Sequence, residues 1–228
     1  MRGILVTLEG IDGSGKTTAL RIISRELIKT LGERRFVFTA EPTSSQAGEV
    51  LRRVHLSGRH ASETHEICIV RRMEEMLLFM ADHANHLAET IMPALREGDV
   101  VISDRYADST AAYQGVTLRK IVPDPVAWIR DLYRPWNIVP DRTLLFTLDP
   151  SLAVQRIRSR TGAANGIEKF EREAFLREVD CIFRLLAKSE PERFALIDAS
   201  HCIEEVAGDA LEAIIDLISQ ESQPGPEH

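Results

Sequence analysis

Cysteine is scarce in this chain, three residues in 228, and Cys68, Cys181 and Cys202 are odd in number and far apart. That excludes a disulfide framework, offers no zinc knuckle, and fits buried thiols in a reducing compartment. No apolar run approaches the ~20 residues that cross a bilayer, and the first residues lead into a strand pattern without a secretory leader. The expectation is a cytoplasmic protein with no membrane partner. A basic excess is missing too: 28 Lys and Arg against 35 Asp and Glu give a net charge of −7, which argues against a nucleic-acid groove. Basic groups for an anionic ligand must therefore be gathered locally. There is no internal repeat and no linker between domains.

What remains is an ordinary globular composition, 44% apolar and 28% charged, in a chain long enough for one α/β domain with a full core. Short apolar runs at 3–9, 36–39, 100–103, 143–148 and 194–197 read as strands buried on both faces. Helical patterns at 16–31, 45–57, 63–97, 107–115, 123–133, 151–160, 169–189 and 203–220 alternate with them. This alternation predicts a doubly wound, parallel five-stranded sheet with ligands outside the carboxyl ends of its strands. The expected extent is one domain over 1–219 and a flexible tail over 220–228, whose composition is that of disorder.

Between the first strand and the first helix, Gly10-Ile11-Asp12-Gly13-Ser14-Gly15-Lys16-Thr17 is a complete G-x-x-x-x-G-K-[ST] phosphate loop, followed by Thr18. The glycines let successive backbone N–H groups turn into one concavity, and the helix start adds its positive end. Lys16 can then reach β- and γ-phosphates and Thr17 can join a Mg²⁺ shell. The motif in this strand–loop–helix setting implies a bound nucleoside triphosphate. Asp104 ends the third strand, where such proteins keep a carboxylate for the metal, and Arg105 beside it could clamp a phosphate. Read alone, that pair could equally be a surface ion pair.

The run Asp104-Arg105-Tyr106-Ala107-Asp108-Ser109-Thr110-Ala111-Ala112-Tyr113-Gln114-Gly115 resembles the Asp-Arg-Tyr…Ser…Ala-Tyr-Gln-Gly signature of thymidylate kinases. Five further segments, in order along the chain, are similar to the same family. Gly10 to Thr18 resembles its phosphate loop, Glu41-Pro42-Thr43 its Arg-Glu-Pro turn, Phe79 to Ala84 its Phe-Ala-x-Asp-Arg-Ala helix, and Glu168 to Glu171 the segment after its lid. Ile197 to Ser200 resembles its last strand.

The resemblance implies transfer of the ATP γ-phosphoryl group to dTMP, with Mg²⁺, in a homodimer that uses an apolar face of the 63–97 helix. It implies that Lys16 and the loop amides hold donor phosphates, with Thr17 and Asp104 on the metal side. Arg105 would bridge the two phosphates and Asp12 would approach the acceptor sugar and phosphate. Phe79 would stack on thymine, Tyr113 would crowd the sugar 2′ position, and Ser109, Thr110, Gln114, Glu41, Pro42 and Phe170 would complete the acceptor pocket. A lid at about 160–168 would bring Arg160, with Arg156, over the donor phosphates. Position 13 is Gly where one class of the family carries a catalytic Arg, which points to the class that supplies this charge from the lid.

Two departures stand out. His83 replaces the Arg that reads a thymine carbonyl, and a neutral imidazole could still donate one N–H there. Ala40 replaces the Arg before Glu-Pro. His83-x-x-His86 lacks a third ligand at zinc-site spacing and does not indicate a metal centre. Another nucleoside or nucleoside-monophosphate kinase of this fold, or an ATP-binding regulator without phosphotransfer, stays open at this point.

Overall fold

Five short apolar runs become five parallel strands because each is covered from both sides. The computed structural model describes residues 2–32, 34–55, 65–161 and 173–221. Its strands are β1 (Ile4–Glu9), β2 (Phe36–Ala40), β3 (Val100–Asp104), β4 (Arg142–Thr147) and β5 (Phe194–Asp198). They form one sheet in the order β2-β3-β1-β4-β5, with every pairing parallel. The central strand β1 and its neighbour β3 are buried at every residue. Alternate side chains divide the core: Ile4, Val6, Leu8, Val100 and Ile102 belong to one apolar cluster, Leu5 and Val101 to the other. The doubly wound α/β architecture is thus the one adopted.

The helices are α1 (Lys16–Thr30), α2 (Gln46–Val50), α3 (His65–His86), α4 (Met92–Arg96), α5 (Ala107–Leu118), α6 (Pro125–Tyr133), α7 (Pro150–Thr161), α8 (Glu173–Ser189) and α9 (Ile203–Glu221). The long helix expected over 63–97 is α3 and α4 joined by a π-helical turn, Leu87–Ile91. Pro93 is the sequence cause. It has no N–H for the Glu89 carbonyl, and the ladder widens just before it to a Met92 N–H bond with the Leu87 carbonyl. Helix α9 continues through Glu221, past the expected start of the tail at 220. The rest of that tail and residues 162–168 of the expected lid lie outside the described residues.

The cysteines correct an expectation. Cys181 and Cys202 are exposed and Cys68 is half-buried. Cys181 is on α8, whose buried stripe is Leu176, Val179, Phe183 and Leu186, and it falls on the solvent side of that stripe. Cys202 lies in the turn before α9.

Strand register decides what meets at the carboxyl edge. Ala40, Asp104 and Leu8 stand in one row of the sheet. Beyond that row the Glu41 N–H donates to the Asp104 carbonyl at 3.0 Å and the Arg105 N–H to the Leu8 carbonyl at 3.0 Å. Glu41, Arg105 and Glu9 are therefore neighbours in space although far apart in sequence. Among the described residues no helix is long and apolar enough to cross a membrane.

Candidate active site

The phosphate loop sits between β1 and α1, as its glycines require. Gly13 has φ +84°, and a Cβ there would lie 2.6 Å from the Ala153 carbonyl oxygen of α7. An L side chain is opposed twice, by backbone conformation and by space, so an arginine at position 13 would require this loop to move away from α7. Lys16 is only 5% exposed. Its ammonium donates to the carbonyls of Gly10 (2.8 Å) and Ile11 (3.0 Å) and to Ser14 Oγ (3.2 Å). Burial, followed by the charge of Arg105, pulls Lys16 down to about 8 against the opposing pull of Asp104, Asp12 and Glu9. An anion bound in the loop would restore the charge that burial disfavours.

Thr17 Oγ1 donates to Asp104 Oδ2 at 2.5 Å. The other oxygen, Asp104 Oδ1, is buried and has no hydrogen-bond partner among the described residues. A hydroxyl beside a half-satisfied buried carboxylate at the loop is a donor set of the hard oxygen type that Mg²⁺ takes together with phosphate oxygens and water. The residues fit that ion.

Arg105 follows Asp104 at φ +74°, the left-handed region in which a non-glycine residue costs about 1–3 kcal/mol. The surroundings hold it there. Its guanidinium pairs with the Asp12 carboxylate and donates to Ser109 Oγ (2.9 Å) and, at 3.4 Å each, to the Gly10 carbonyl and Tyr113 Oη. Its Cζ lies 5.0 Å over the Tyr113 ring, and the Tyr113 hydroxyl also accepts the Asp12 N–H at 2.9 Å. Burial works against the cation, but Tyr113, Asp12 and Asp104 raise Arg105 above its ordinary range. Lys16, Asp12, Arg105, Ser109 and Tyr113, read separately along the sequence, are thus one contact group.

Glu9 belongs to this group and was not singled out in the sequence, where it reads as a strand end. It is fully buried. Its Oε1 accepts the N–H groups of Tyr106 (2.9 Å) and Ser109 (3.2 Å), and its Oε2 accepts Ser109 Oγ at 2.5 Å. Burial first, then Asp108, pushes the Glu9 carboxyl up to about 8. The chain Glu9–Ser109–Arg105 connects β1 to the guanidinium.

On the α3 side several expectations need correction. His83 is wholly buried. Its Nδ1 meets Glu41 Oε1 at 2.7 Å and its Nε2 meets Asn137 Oδ1 at 2.9 Å. Neither nitrogen is free for a base. Glu41 is turned inward as well, its Oε1 shared between His83 Nδ1 and His86 Nδ1, the latter at 2.8 Å. Gln114 is fully buried, donating to Glu75 Oε1 (3.2 Å) and accepting from Thr117 Oγ1 (2.7 Å), and is committed to the packing of α5 on α3. Thr110 is also buried. Phe79 stays half-buried and outside both core clusters, which leaves its ring available. The Pro42 and Thr43 carbonyls accept from Arg52 at 2.7 and 2.6 Å. Phe170 lies outside the described residues.

Beside the loop, Ser14, Gly15, Thr18, Arg156, Ala199, His201, Cys202, Ile203 and Val206 line a cavity of about 360 Å³. The Arg156 guanidinium donates to the Ala199 carbonyl at 2.9 Å, which fixes it as a wall of that cavity. Ala199 belongs to the segment that resembles the family's last strand, whereas residues 201–206 carry no motif and give no functional signal in the sequence. Arg158 and Arg160 are exposed in the last turn of α7.

A family model described as Thymidylate kinase matches residues 8–210. The chain is 44% identical over 218 residues to "Probable thymidylate kinase" of Methanococcoides burtonii, covering 96% of this chain and 99% of that protein. It is 43% identical over 222 residues to the protein of the same name from Methanosarcina acetivorans, with coverage of 96% and 99%. For Halobacterium salinarum the identity is 42% over 219 residues, again with 96% and 99% covered.

Proposed function

The chain belongs to the thymidylate kinase family and phosphorylates dTMP, and from that premise we propose that ATP with Mg²⁺ is its donor and that the Lys16–Asp12–Arg105 group carries the transfer. One observation supports this above others. The Arg105 guanidinium joins the phosphate loop, through Gly10 and Asp12, to the acceptor-side helix α5, through Ser109 and Tyr113. A cation so placed lies where two phosphates must meet. A regulator that merely senses ATP has no use for it.

The chemistry asks little of a general base. The attacking oxygen belongs to a phosphate monoester whose second pKa is about 6, so it is already largely dianionic at neutral pH. What remains is to bring two anions together in line and to neutralise their charge. Lys16 and the loop N–H groups hold the donor phosphates, and Arg105, oriented by Asp12 and Ser109, draws the acceptor phosphate toward them. Thr17 and Asp104 would hold Mg²⁺, which when bound neutralises part of the donor charge. Phe79 stacks on the thymine and Tyr113 limits the sugar, while Arg156 borders the donor cavity and Arg160, in the last turn of α7, reaches the donor phosphates. The catalytic unit extends over 1–219, in the cytoplasm where its nucleotides are. Incubation with ATP, Mg²⁺ and dTMP, followed by ³¹P NMR, is expected to give dTDP and ADP in equal amounts. Inorganic phosphate in place of dTDP would contradict phosphotransfer.

The homodimer is part of the same proposal, and its apolar face on α3 is not the methionine side of the helix. Met76 is fully buried and Met73 and Met80 pack on the core. The exposed apolar residues of α3 are Ile67 (47%), Val70 (67%) and Leu77 (54%), at a spacing that keeps them on one face. Light scattering at micromolar concentration is expected to give twice the chain mass of 25.6 kDa. Leu77→Glu should give the monomer with unchanged circular dichroism. A parent that is already monomeric would remove this claim.

A further inference from the structure

We propose that His83 is a positioning residue, the buried cation of a Glu41–His83–His86 cluster that fixes the Glu41–Thr43 turn at the acceptor end of the sheet, and that it does not read the base. This rests on the reading of that end as the acceptor site. With the Asn137 side-chain oxygen placed toward His83, the hydrogen-bond pattern assigns the protons. Glu41 Oε1 meets Nδ1 of both histidines, at 2.7 and 2.8 Å, so each Nδ1 carries a proton. His86 Nε2 lies 2.7 Å from Thr39 Oγ1 and can accept its hydroxyl proton, leaving His86 neutral. His83 Nε2 faces Asn137 Oδ1, an acceptor, and needs a second proton. The imidazolium of His83 then balances the Glu41 carboxylate, and the buried cluster has no net charge. With a neutral His83 the same site would bury a lone anion.

The surroundings suit a cation. The ring centroid of His83 lies 4.5 Å from that of Tyr106, 4.9 Å from Tyr133 and 5.5 Å from Trp136, three aromatic rings around one positive charge. The titratable groups facing it are Glu41 after β2, Asp82 and His86 on α3, Tyr106 before α5 and Tyr133 on α6. Burial opposes the charge, but Glu41 and the hydrogen bonds from Glu41 and Asn137 outweigh it and hold His83 above its ordinary range. Glu41 shows the reciprocal effect, held below the usual carboxylate range by His83 despite its burial.

The cluster acts on the turn rather than on a ligand. Glu41 is the first residue of the turn, and its N–H is bound to the Asp104 carbonyl immediately before Arg105. One residue before His83, Asp82 accepts the Thr43 N–H (2.8 Å), Thr43 Oγ1 (2.5 Å) and Ser45 Oγ (2.6 Å). One stretch of α3 thus grips both ends of the turn. The sign follows from the raised pKa: the grip is complete below the ordinary imidazole range, near 6.5, and is lost as pH rises through the folded-state value.

Two measurements test this on the full chain. Imidazole ¹⁵N NMR of the ligand-free protein is expected to show His83 protonated on both nitrogens at pH 7.5, and a neutral tautomer there would overturn the proposal. Kinetics from pH 7 upward, where the acceptor phosphate no longer titrates, should show the dTMP KM of the parent rising with pH. In His83→Gln that KM should be about tenfold higher and lose this part of its pH dependence, the scale of one charge-assisted hydrogen bond. Lys16 and Glu9 titrate in the same window, so the difference between parent and variant is the readout. Competition binding of dTMP and of dCMP, which has an amino group in place of thymine O4, should weaken by the same factor. A loss confined to dTMP would make His83 a base reader and refute the proposal. Failure of all acceptor turnover would count against the dTMP reading instead, leaving the NMR result to decide the cluster.

Discussion

Lys16→Ala is expected to lower kcat by about 10²–10³-fold while leaving a folded protein, the loss that follows removal of one preorganised charge from a transition state. Lys16 contributes little to the free chain. Burial holds its ammonium down to about 8, so the folded state tolerates the charge rather than gaining from it. The three loop oxygens that it satisfies, on Gly10, Ile11 and Ser14, lie at the loop where solvent can replace it once the side chain is gone. A melting temperature within a few degrees of the parent should therefore accompany the lost activity. The same pKa gives a pH signature. In the ligand-free enzyme the ammonium is lost as pH rises through about 8, so kcat/KM for the donor should fall there, and bound phosphate should move the fall upward. A variant that loses folded protein in proportion to activity would make Lys16 structural.

Arg105→Ala is expected to reduce kcat/KM for dTMP by roughly 10²–10³-fold, with kcat and acceptor affinity both falling. Arg105→Lys should recover little, because a point charge cannot divide itself among Asp12, Ser109, Gly10 and Tyr113 as a planar fork does. The backbone offers an internal control. At φ +74° alanine keeps the strain and glycine relieves it, so Arg105→Gly should be the more stable variant by about 1 kcal/mol, with activity no better. An unchanged dTMP KM with full kcat in either variant would reduce Arg105 to an ion pair with Asp12.

The parts of this molecule that were readable along the chain are those whose cause is local. Strands buried on two faces must be short apolar runs, and all five fall within about a residue of their expected bounds. The phosphate loop carries its geometry in its own glycines. Helix α5 extends three residues past Gly115, read as its end, because that glycine is a packing feature: a Cβ there would lie 2.7 Å from Val126 Cγ2 of α6. Side-chain commitments were the part hidden from sequence. His83 could be located on its helix, but its partners Glu41 and Asn137 are 42 and 54 residues away, and only the fold brings them to it. Glu9 was missed for the same reason, since its partners Tyr106 and Ser109 are 97 and 100 residues distant. Gln114 carried the family motif, yet faces Glu75.

The central claim is that the cation joining the phosphate loop to α5 serves transfer to dTMP. The direct measurement is an acceptor panel with ATP and Mg²⁺, comparing kcat/KM for dTMP, dUMP, dCMP and dGMP. dTMP is expected to be used best, and Arg105→Ala is expected to lower transfer to dTMP far more than it weakens ATP binding. Turnover of dTMP no better than that of dCMP or dGMP, or ATP consumption indifferent to any acceptor, would contradict the central claim.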